Sequence, residues 1–266
     1  LSLVGSEMCI RDSDNMKQSL MFYSTEDGRF VKSEKFNKPT PAEIAYWGGY
    51  FFYHNRLHRN YQDDISLHYY LLASKDGITI GKRYFKHENN KEDYPFSPSG
   101  HNLYDNNSKL YYCRDFDNIV YQIHEDSVVP RFRINLPNPL PASMIEERPN
   151  EMSLLRSGYS LGITDIYEYG GLLFFRFVKD GYIWSCLYNV EESKQVYCAK
   201  RIKFLDSSLI DTIDGIYKDC FYSILTPEYL DYAFSENPLE DYPDLFKTYD
   251  VEGDNPVIAF YRAVVR

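Results

Sequence analysis

The feature that most constrains the fold of this chain is a series of tight-turn signals. Each lies between short runs rich in Tyr, Phe, Ile and Val. The turns are centred near Gly28, Gly49, Gly77, Asn107, Asp126, Gly171, Glu192 and Asp219. β-branched and aromatic residues favour strands, whereas Gly, Asn and Asp adopt the backbone conformations that tight turns require. The pattern therefore predicts consecutive antiparallel hairpins.

The hairpins also form a repeat. Residues 43–53 (EIAYWGGYFFY) are similar to residues 165–175 (DIYEYGGLLFF), with looser copies at 103–112 and 213–222. Between these copies lie hairpins of a second type, centred on 26–28, 75–77, 125–126 and 191–192. One turn of each type in every unit of roughly 50 to 60 residues gives four strands per unit, as in a propeller blade.

The repeat predicts an all-β fold, a β-propeller of four-stranded antiparallel blades. We expect half of one blade at 19–36, three complete blades, and a last blade opened by an insertion at 227–254.

The first residues of the chain stand apart from this pattern. Residues 3–13 (LVGSEMCIRDS) resemble one translated frame of a transposase-type sequencing adaptor. Segments of this kind are excluded from fold reasoning. We therefore expect residues 1–13 to be an artefact that packs against nothing, and residues 14–266 to be a single β-propeller domain, incomplete at its N-terminus. A signal peptide or a lipid-attachment cysteine would have been lost with the natural start.

Composition supports one large β domain. Aromatic residues make up 17% of the 266 residues, and 26 of them are Tyr, which suits half-buried strands. No run approaches the roughly 18 apolar residues of a membrane-spanning helix. The net charge of −10 and the pI of about 5.1 argue against nucleic-acid partners, because nucleic-acid binding depends on neutralising phosphates.

The cysteines do not predict a metal site. Cys9 lies in the suspected adaptor, and the others lack the paired close spacing of zinc ligands: Cys113, Cys186, Cys198 and Cys220. Cys186 and Cys198 lie at equal distance from Glu192 in one predicted hairpin, so they could face each other across neighbouring strands. A disulfide there is one interpretation for a secreted protein. We favour the other, in which both are buried thiols that pack as small apolar residues.

The order of the turns also predicts where function lies. In a four-stranded blade, the connections from strand one to two and from three to four share one face of the disc, and the tight turns all belong to this class. The long connections belong to the other face: 54–65, 86–101, 136–161 and 205–212. Because loops on a rigid scaffold carry binding residues, we expect the working surface on that second face and at the mouth of the central channel.

The richest of these connections is 54–64 (HNRLHRNYQDD), which offers imidazoles, guanidiniums and carboxylates. Arginine forks suit carboxylate, sulfate or phosphate groups, and aromatic rings suit sugar faces. We therefore predict a site for a neutral or anionic polar ligand, formed by this loop and two neighbouring connections. Its predicted residues are His54, Arg56, His58, Arg59, Tyr94 and Arg114.

Other interpretations of these residues stay open. His54 and His58 would need a helix to share a face, and the loop lacks helical periodicity, so no metal is predicted. Arg114 could instead pair with Asp115 or Asp117 and stabilise its own loop. No Gly-rich phosphate loop, Gly-x-Ser-x-Gly motif or Cys/His pair in a catalytic context occurs, so we predict no catalytic residue and no cofactor.

Three short motifs resemble a known family. NIVYQI at 118–123, PRF at 130–132 and DNPVIAFY at 254–261 are similar to motifs of TolB-like six-bladed β-propeller proteins, and the resemblance extends over 19–266. It implies six blades in the intact protein, of which roughly four to five would be present here. It also implies an extracytoplasmic location, in the periplasm or as an outer-membrane lipoprotein of Gram-negative anaerobes. The family offers no catalytic residues to carry over, and this chain departs from it by the insertion at 227–254, where 239–249 would form a short helix.

These observations favour a non-catalytic extracytoplasmic β-propeller whose loop-rich face binds a polysaccharide, a peptide or an envelope protein. The alternative is an exported propeller enzyme that acts on a carbohydrate or an ester, and a third interpretation is a purely structural module of an envelope assembly. Convergence of carboxylates or histidines from different blades in the central channel would distinguish them.

Overall fold

The structure is a computed structural model that describes residues 9–14, 19–24, 26–35, 41–55, 68–87, 97–98, 100–200, 202–204, 207–210, 213–236, 249–250, 253 and 255–262. The described chain is mostly β, in several antiparallel sheets.

Five sheets follow one another along the chain, and we number them in that order. Sheet 1 contains β1 (Cys9–Asp14), β2 (Ser19–Ser24) and β3 (Phe30–Lys35). Sheet 2 contains β4 (Glu43–Trp47), β5 (Tyr50–His54), β6 (Tyr69–Ser74) and β7 (Ile80–Lys86). Sheet 3 contains β8 (Leu103–Asp105), β9 (Leu110–Cys113), β10 (Ile119–Ile123) and β11 (Val128–Arg133). Sheet 4 contains β12 (Ser160–Tyr169), β13 (Leu172–Lys179), β14 (Tyr182–Asn189) and β15 (Lys194–Ala199). Sheet 5 contains β18 (Gly215–Tyr217), β19 (Cys220–Leu225) and β20 (Val257–Tyr261).

Smaller elements lie between and within these sheets. The short helices α1 (Ala142–Glu146) and α2 (Glu151–Leu155) separate sheets 3 and 4. A hairpin of β16 (Ile202–Phe204) and β17 (Ser207–Ile210) precedes sheet 5, and α3 (Pro227–Glu236) separates β19 from β20.

Every predicted tight turn joins two neighbouring strands of one sheet, and sheets 2, 3 and 4 each have four antiparallel strands in sequence order. The β6–β7 turn illustrates why these turns form. The Ser74 hydroxyl accepts a hydrogen bond from Gly77 N at 3.0 Å, and the Asp76 carboxylate accepts from Ile78 N at 2.8 Å and Thr79 N at 2.7 Å. Gly77 has a positive φ of 86°, which glycine adopts without a steric penalty.

Neighbouring sheets pack face to face. Leu20 and Phe22 of sheet 1 contact Phe51 and Leu72 of sheet 2 in one buried cluster. A second cluster joins sheets 2 and 3, and a third, larger cluster joins sheets 3, 4 and 5. The first strands of successive sheets are also adjacent, since β4 contacts β8, β8 contacts β12 and β12 contacts β18. The described sheets therefore follow one another with their first strands on a common side. They do not close into a ring.

The start of the chain differs from expectation. Cys9–Ser13, predicted to pack against nothing, belong to β1, which pairs with β2 along its whole length. Pairing of this kind uses backbone hydrogen bonds, so any extended segment beside an open strand edge can form it. The half blade expected at 19–36 contains two strands, β2 and β3, and β1 adds a third strand to their sheet. The adaptor origin of the segment stays a prediction.

The helical elements were predicted only in part. The connection at 136–161 contains two short helices, α1 and α2. Within the insertion, the described helix is α3, and the helix predicted at 239–249 lies almost entirely outside the described residues. In the described part of the chain, no helix combines the length and apolar character of a membrane span.

Candidate functional site

The strands of sheets 2 to 5 have two distinct ends. The tight turns gather at one, which we call the turn end: Gly48 lies against Glu125, and the Asn107 amide donates to the Lys218 carbonyl at 3.2 Å. The opposite end, which we call the loop end, carries the connections β5–β6, β9–β10 and β13–β14 and those between sheets.

At the loop end, His54 and Arg114 lie in one aromatic cluster between sheets 2 and 3. His54 is the last residue of β5 and is buried, and its Nδ1 lies 3.1 Å from the hydroxyl of Tyr112. Tyr112 stacks on Phe85, with ring centroids 5.6 Å apart, and burial raises the pKa of its phenol well above the usual value. Phe85 has a positive φ of 58°, which is strained for a bulky residue.

Arg114 completes this cluster. Its guanidinium lies 5.4 Å from the ring centroid of Phe85 and 5.9 Å from that of Tyr70. Its Nε and Nη2 donate to Asp117 Oδ2 at 3.0 and 2.6 Å. Burial opposes the charged guanidinium, but the charge and hydrogen bonds of Asp117 outweigh it and raise the pKa of Arg114. Of the two partners considered for Arg114, Asp117 is the one that forms the ion pair within the loop. One face of the guanidinium packs against the rings of Phe85 and Tyr70.

A second set of polar residues lies where the first strands begin. Glu43, at the start of β4, accepts hydrogen bonds from Asn102 N at 2.6 Å and Leu103 N at 2.9 Å, at the start of β8. Its other oxygen lies 3.2 Å from Nδ1 of His101, which is 67% exposed. The hydrogen bond to Glu43 raises the pKa of His101, burial opposes this, and the charges of Glu43 and Asp165 add to it.

Sheets 4 and 5 contribute the rest of this set. Asp165 of β12 pairs with Arg176 Nε at 2.7 Å, and both side chains are largely buried. The Asp165 N–H donates to the Tyr104 hydroxyl at 3.1 Å, which links β12 to β8. Asp214, just before β18, accepts from Ile224 N at 2.7 Å, and its carbonyl accepts from the Tyr167 hydroxyl at 3.0 Å.

Carboxylates and a histidine from sheets 2 to 5 are therefore placed near the first strands at the loop end. Each carboxylate accepts at least one hydrogen bond from the backbone or from an arginine. In the part of the chain that the structure describes, no group of three or more His, Cys, Asp or Glu could hold a metal ion. The arrangement connects sheets and presents polar groups, and it does not resemble a pair of unpartnered catalytic carboxylates.

The structure places two of the six predicted site residues. His54 and Arg114 are brought together through Tyr112 and Phe85. The other four lie outside the described residues: Arg56, His58, Arg59 and Tyr94.

Sequence reasoning missed Glu43, His101, Asp165 and Arg176. The repeat held a signal, because its two clearest copies, 43–53 and 165–175, both begin with an acidic residue.

Cys186 and Cys198 are directly opposite in the register of β14 and β15, as their spacing predicted, and they are joined by a disulfide. The favoured interpretation as two buried thiols is therefore wrong. Directly opposite residues on adjacent antiparallel strands have Cβ atoms close enough for two cysteines to form a disulfide. The sequence spacing of the two cysteines allowed this bond but did not require it. Among the described residues, Cys113 and Cys220 are free.

Residues 7–262 match the model of a family described as a domain of unknown function, DUF4934. No curated protein matches the chain.

Among solved structures, a protein of Bacteroides fragilis NCTC 9343 that is described as exported is 15% identical, with a TM-score of 0.75 over 97% of this chain and 75% of that chain. A eukaryotic initiation factor is 12% identical, with a TM-score of 0.37 over 82% of this chain and 50% of that one. AztD from Citrobacter koseri is 10% identical, also with a TM-score of 0.37, over 83% and 64%. The first likeness indicates a shared fold, and the other two are too distant to carry an argument.

Proposed function

The chain belongs to the DUF4934 family, and we propose that it is a non-catalytic, extracytoplasmic β-propeller that binds a ligand or protein partner at its loop end. The ligand would be a polysaccharide, a peptide or an envelope protein.

The propeller assignment rests on the order of the sheets. Consecutive antiparallel sheets are the arrangement from which propellers are built, and sheets 2 to 5 are each adjacent to the next through their first strands. Six blades in the intact protein, as in TolB-like proteins, is the finer form of this proposal.

The extracytoplasmic location has two supports. The Cys186–Cys198 disulfide suits an oxidising compartment, because cytosolic thiols are kept reduced. The shared fold with a Bacteroides fragilis protein described as exported is in agreement.

One observation carries the binding role: the described side chains at the loop end are arranged to present polar groups. Arg114 is held over Tyr70 and Phe85 beside the buried His54, and His101 stands exposed next to Glu43. Arginine held against aromatic rings keeps donors available to carboxylate, sulfate or phosphate groups. In the proposed site, Arg56, His58, Arg59 and Tyr94 extend this surface.

The enzyme alternative gains less support from the same geometry. A glycosidase needs one carboxylate free to donate a proton and a second free to act on the sugar or a water. Glu43 and Asp214 accept backbone hydrogen bonds, and Asp165 is paired with Arg176. These contacts give each carboxylate a structural partner in the folded chain.

The test is binding of the full chain to an array of neutral and acidic bacterial polysaccharides and to a peptide library. We expect the triple variant Arg56→Ala, His58→Ala, Arg59→Ala to lose binding. The matched control is Arg29→Ala with Lys194→Ala, which removes two exposed cations beside the β2–β3 and β14–β15 turns. Unchanged binding in a folded triple variant would remove this loop from the site, and equal loss in the control would indicate non-specific charge attraction.

A further inference from the structure

Sheet 4 carries an aromatic patch at the loop end, distant in sequence from the proposed site. Tyr182 and Trp184 lie two residues apart on β14, so their side chains share one face of the sheet. Tyr182 is 54% exposed. Trp184 is stacked on Phe177, with centroids 6.2 Å apart, and its indole N–H is buried without a hydrogen-bond partner among the described residues.

Two lysines flank these rings. Lys179 is the register partner of Tyr182 across the β13–β14 turn. The Nζ of Lys200 lies 3.5 Å from the ring centroid of Tyr182 and 5.8 Å from that of Trp184. Within the described part of the chain, neither lysine has a carboxylate partner at ion-pair distance.

This combination is unusual for the molecule. The chain has a net charge of −10, yet two lysines without a carboxylate partner at ion-pair distance lie beside an exposed aromatic ring, with Asp180 exposed in the turn between Lys179 and Tyr182. Core packing does not require an exposed tyrosine, and a buried indole N–H without a hydrogen-bond partner is unfavourable. The patch therefore holds aromatic faces, two cations and one unsatisfied donor.

We propose that this patch binds an acidic saccharide. The C–H face of the sugar ring stacks on Tyr182, because aromatic faces carry negative partial charge. The carboxylate or sulfate group of the saccharide lies between Lys179 and Lys200. Lys200 now covers the ring of Tyr182, and its flexible side chain turns from the ring to the anion when the sugar binds.

The inference goes beyond the proposed function, since it names a ligand class and places it on different strands. Tyr182 begins β14 of sheet 4, whereas His54 and Arg114 follow strands of sheets 2 and 3. Variants of the two surfaces can therefore fail independently.

The experiment is isothermal titration calorimetry of the full chain with oligogalacturonate, and with a neutral galactose oligomer of the same length. We expect the acidic oligomer to bind with an affinity that falls as salt rises, and the neutral one to bind at least about tenfold more weakly. Lys179→Gln with Lys200→Gln, and separately Tyr182→Ala, should each lower the affinity for the acidic oligomer at least about tenfold. Trp184→Phe should abolish a change in tryptophan fluorescence on binding.

The matched control is Tyr217→Ala, which removes a tyrosine that is also 54% exposed and also lies under a lysine, Lys218 Nζ at 5.2 Å, but at the turn end. We expect it to bind as the unaltered chain does. Chondroitin sulfate serves as a second acidic probe, and inorganic sulfate tests for a simple anion site. Failure of both acidic oligomers to bind, equal binding of the neutral oligomer, unchanged affinity in the folded lysine and tyrosine variants, or full competition by sulfate would each overturn the proposal.

Discussion

Single side chains connect the first strands of neighbouring sheets, both at the loop end and at the turn end. Glu43 holds the backbone of Asn102 and Leu103 across sheets 2 and 3. Asn106 does the same across sheets 3 and 4: its amide donates to the Ile166 carbonyl at 3.0 Å and accepts from Glu168 N at 2.6 Å. These side chains satisfy backbone groups that the sheet edges would otherwise leave unpaired.

The contact between His101 and Glu43 predicts a pH-dependent stability. The pKa of His101 is raised in the folded chain. The contact with Glu43 therefore stabilises the fold fully below the usual histidine pKa of about 6.5, and this stabilisation is lost as pH rises through the raised pKa. We expect His101→Gln to lower stability at pH 5.5, by less than about 1 kcal/mol for so exposed a pair, and to have little effect at pH 8.5. Urea unfolding at both pH values measures this.

The control for this prediction is His124→Gln, in the exposed β10–β11 turn. An equal loss of stability at both pH values in His101→Gln would contradict the charge argument, because a purely steric effect does not depend on the protonation of the imidazole.

At the scale of elements, β12 is the strand with the most irregular backbone. Its pairing with β13 shifts register between Ser160 and Ile163 and again between Thr164 and Ile166. Gly162 and Asp165, at these two shifts, have positive φ values of 97° and 54°. The bulges bend β12 so that Asp165 reaches both Tyr104 and Arg176.

Gly162→Ala should therefore be strongly destabilising, by about 3 kcal/mol or more. A Cβ at this position would lie 2.6 Å from Cα of Phe116, a backbone atom that cannot move aside without displacing the β9–β10 connection. Gly170→Ala is the matched control, since Gly170 has a positive φ of 57° but nothing within 4 Å of its added Cβ. We expect a cost of only about 1 kcal/mol there. Similar melting temperatures for the two variants would refute the close approach.

Sequence predicted the elements best where the signal was local. Turns such as those at Gly28, Gly77 and Gly171 depend on the conformational freedom of two or three adjacent residues, and all were found. The pairing of β1 with β2 depends on an open strand edge, and α3 lies in an insertion outside the repeat, so neither followed from the pattern. The contact of Glu43 with His101 joins residues 58 positions apart, which no local motif reveals.

At the scale of the whole molecule, each sheet covers a face of the next. Apolar clusters join sheets 1 and 2, sheets 2 and 3, and sheets 3 to 5. Sheet 5 differs, because the face that points away from sheet 4 exposes large apolar side chains: Tyr217, Ile224, Ile258 and Phe260. Because the sheets share these clusters, unfolding one removes the cover of its neighbour, and the series should unfold as a unit.

Glu168 tests that cooperativity at the boundary of sheets 3 and 4. Its carboxylate, only 10% exposed, accepts from the Tyr111 hydroxyl, from Lys109 Nζ at 2.7 Å and from Arg131 at 3.2 Å, which belong to sheet 3 and its β8–β9 turn. Glu168→Gln leaves both cations without their carboxylate, and we expect a loss of about 1–3 kcal/mol in the free energy of unfolding.

Trp47 in sheet 2 and Trp184 in sheet 4 report different sheets, so fluorescence of single-tryptophan variants and far-ultraviolet circular dichroism should still give coincident urea transitions. Lys32→Gln is the control, because it removes an exposed pair with Glu34 and should change little. Separate transitions for the two tryptophans, or no loss of stability in Glu168→Gln, would show that the sheets do not depend on one another through this contact.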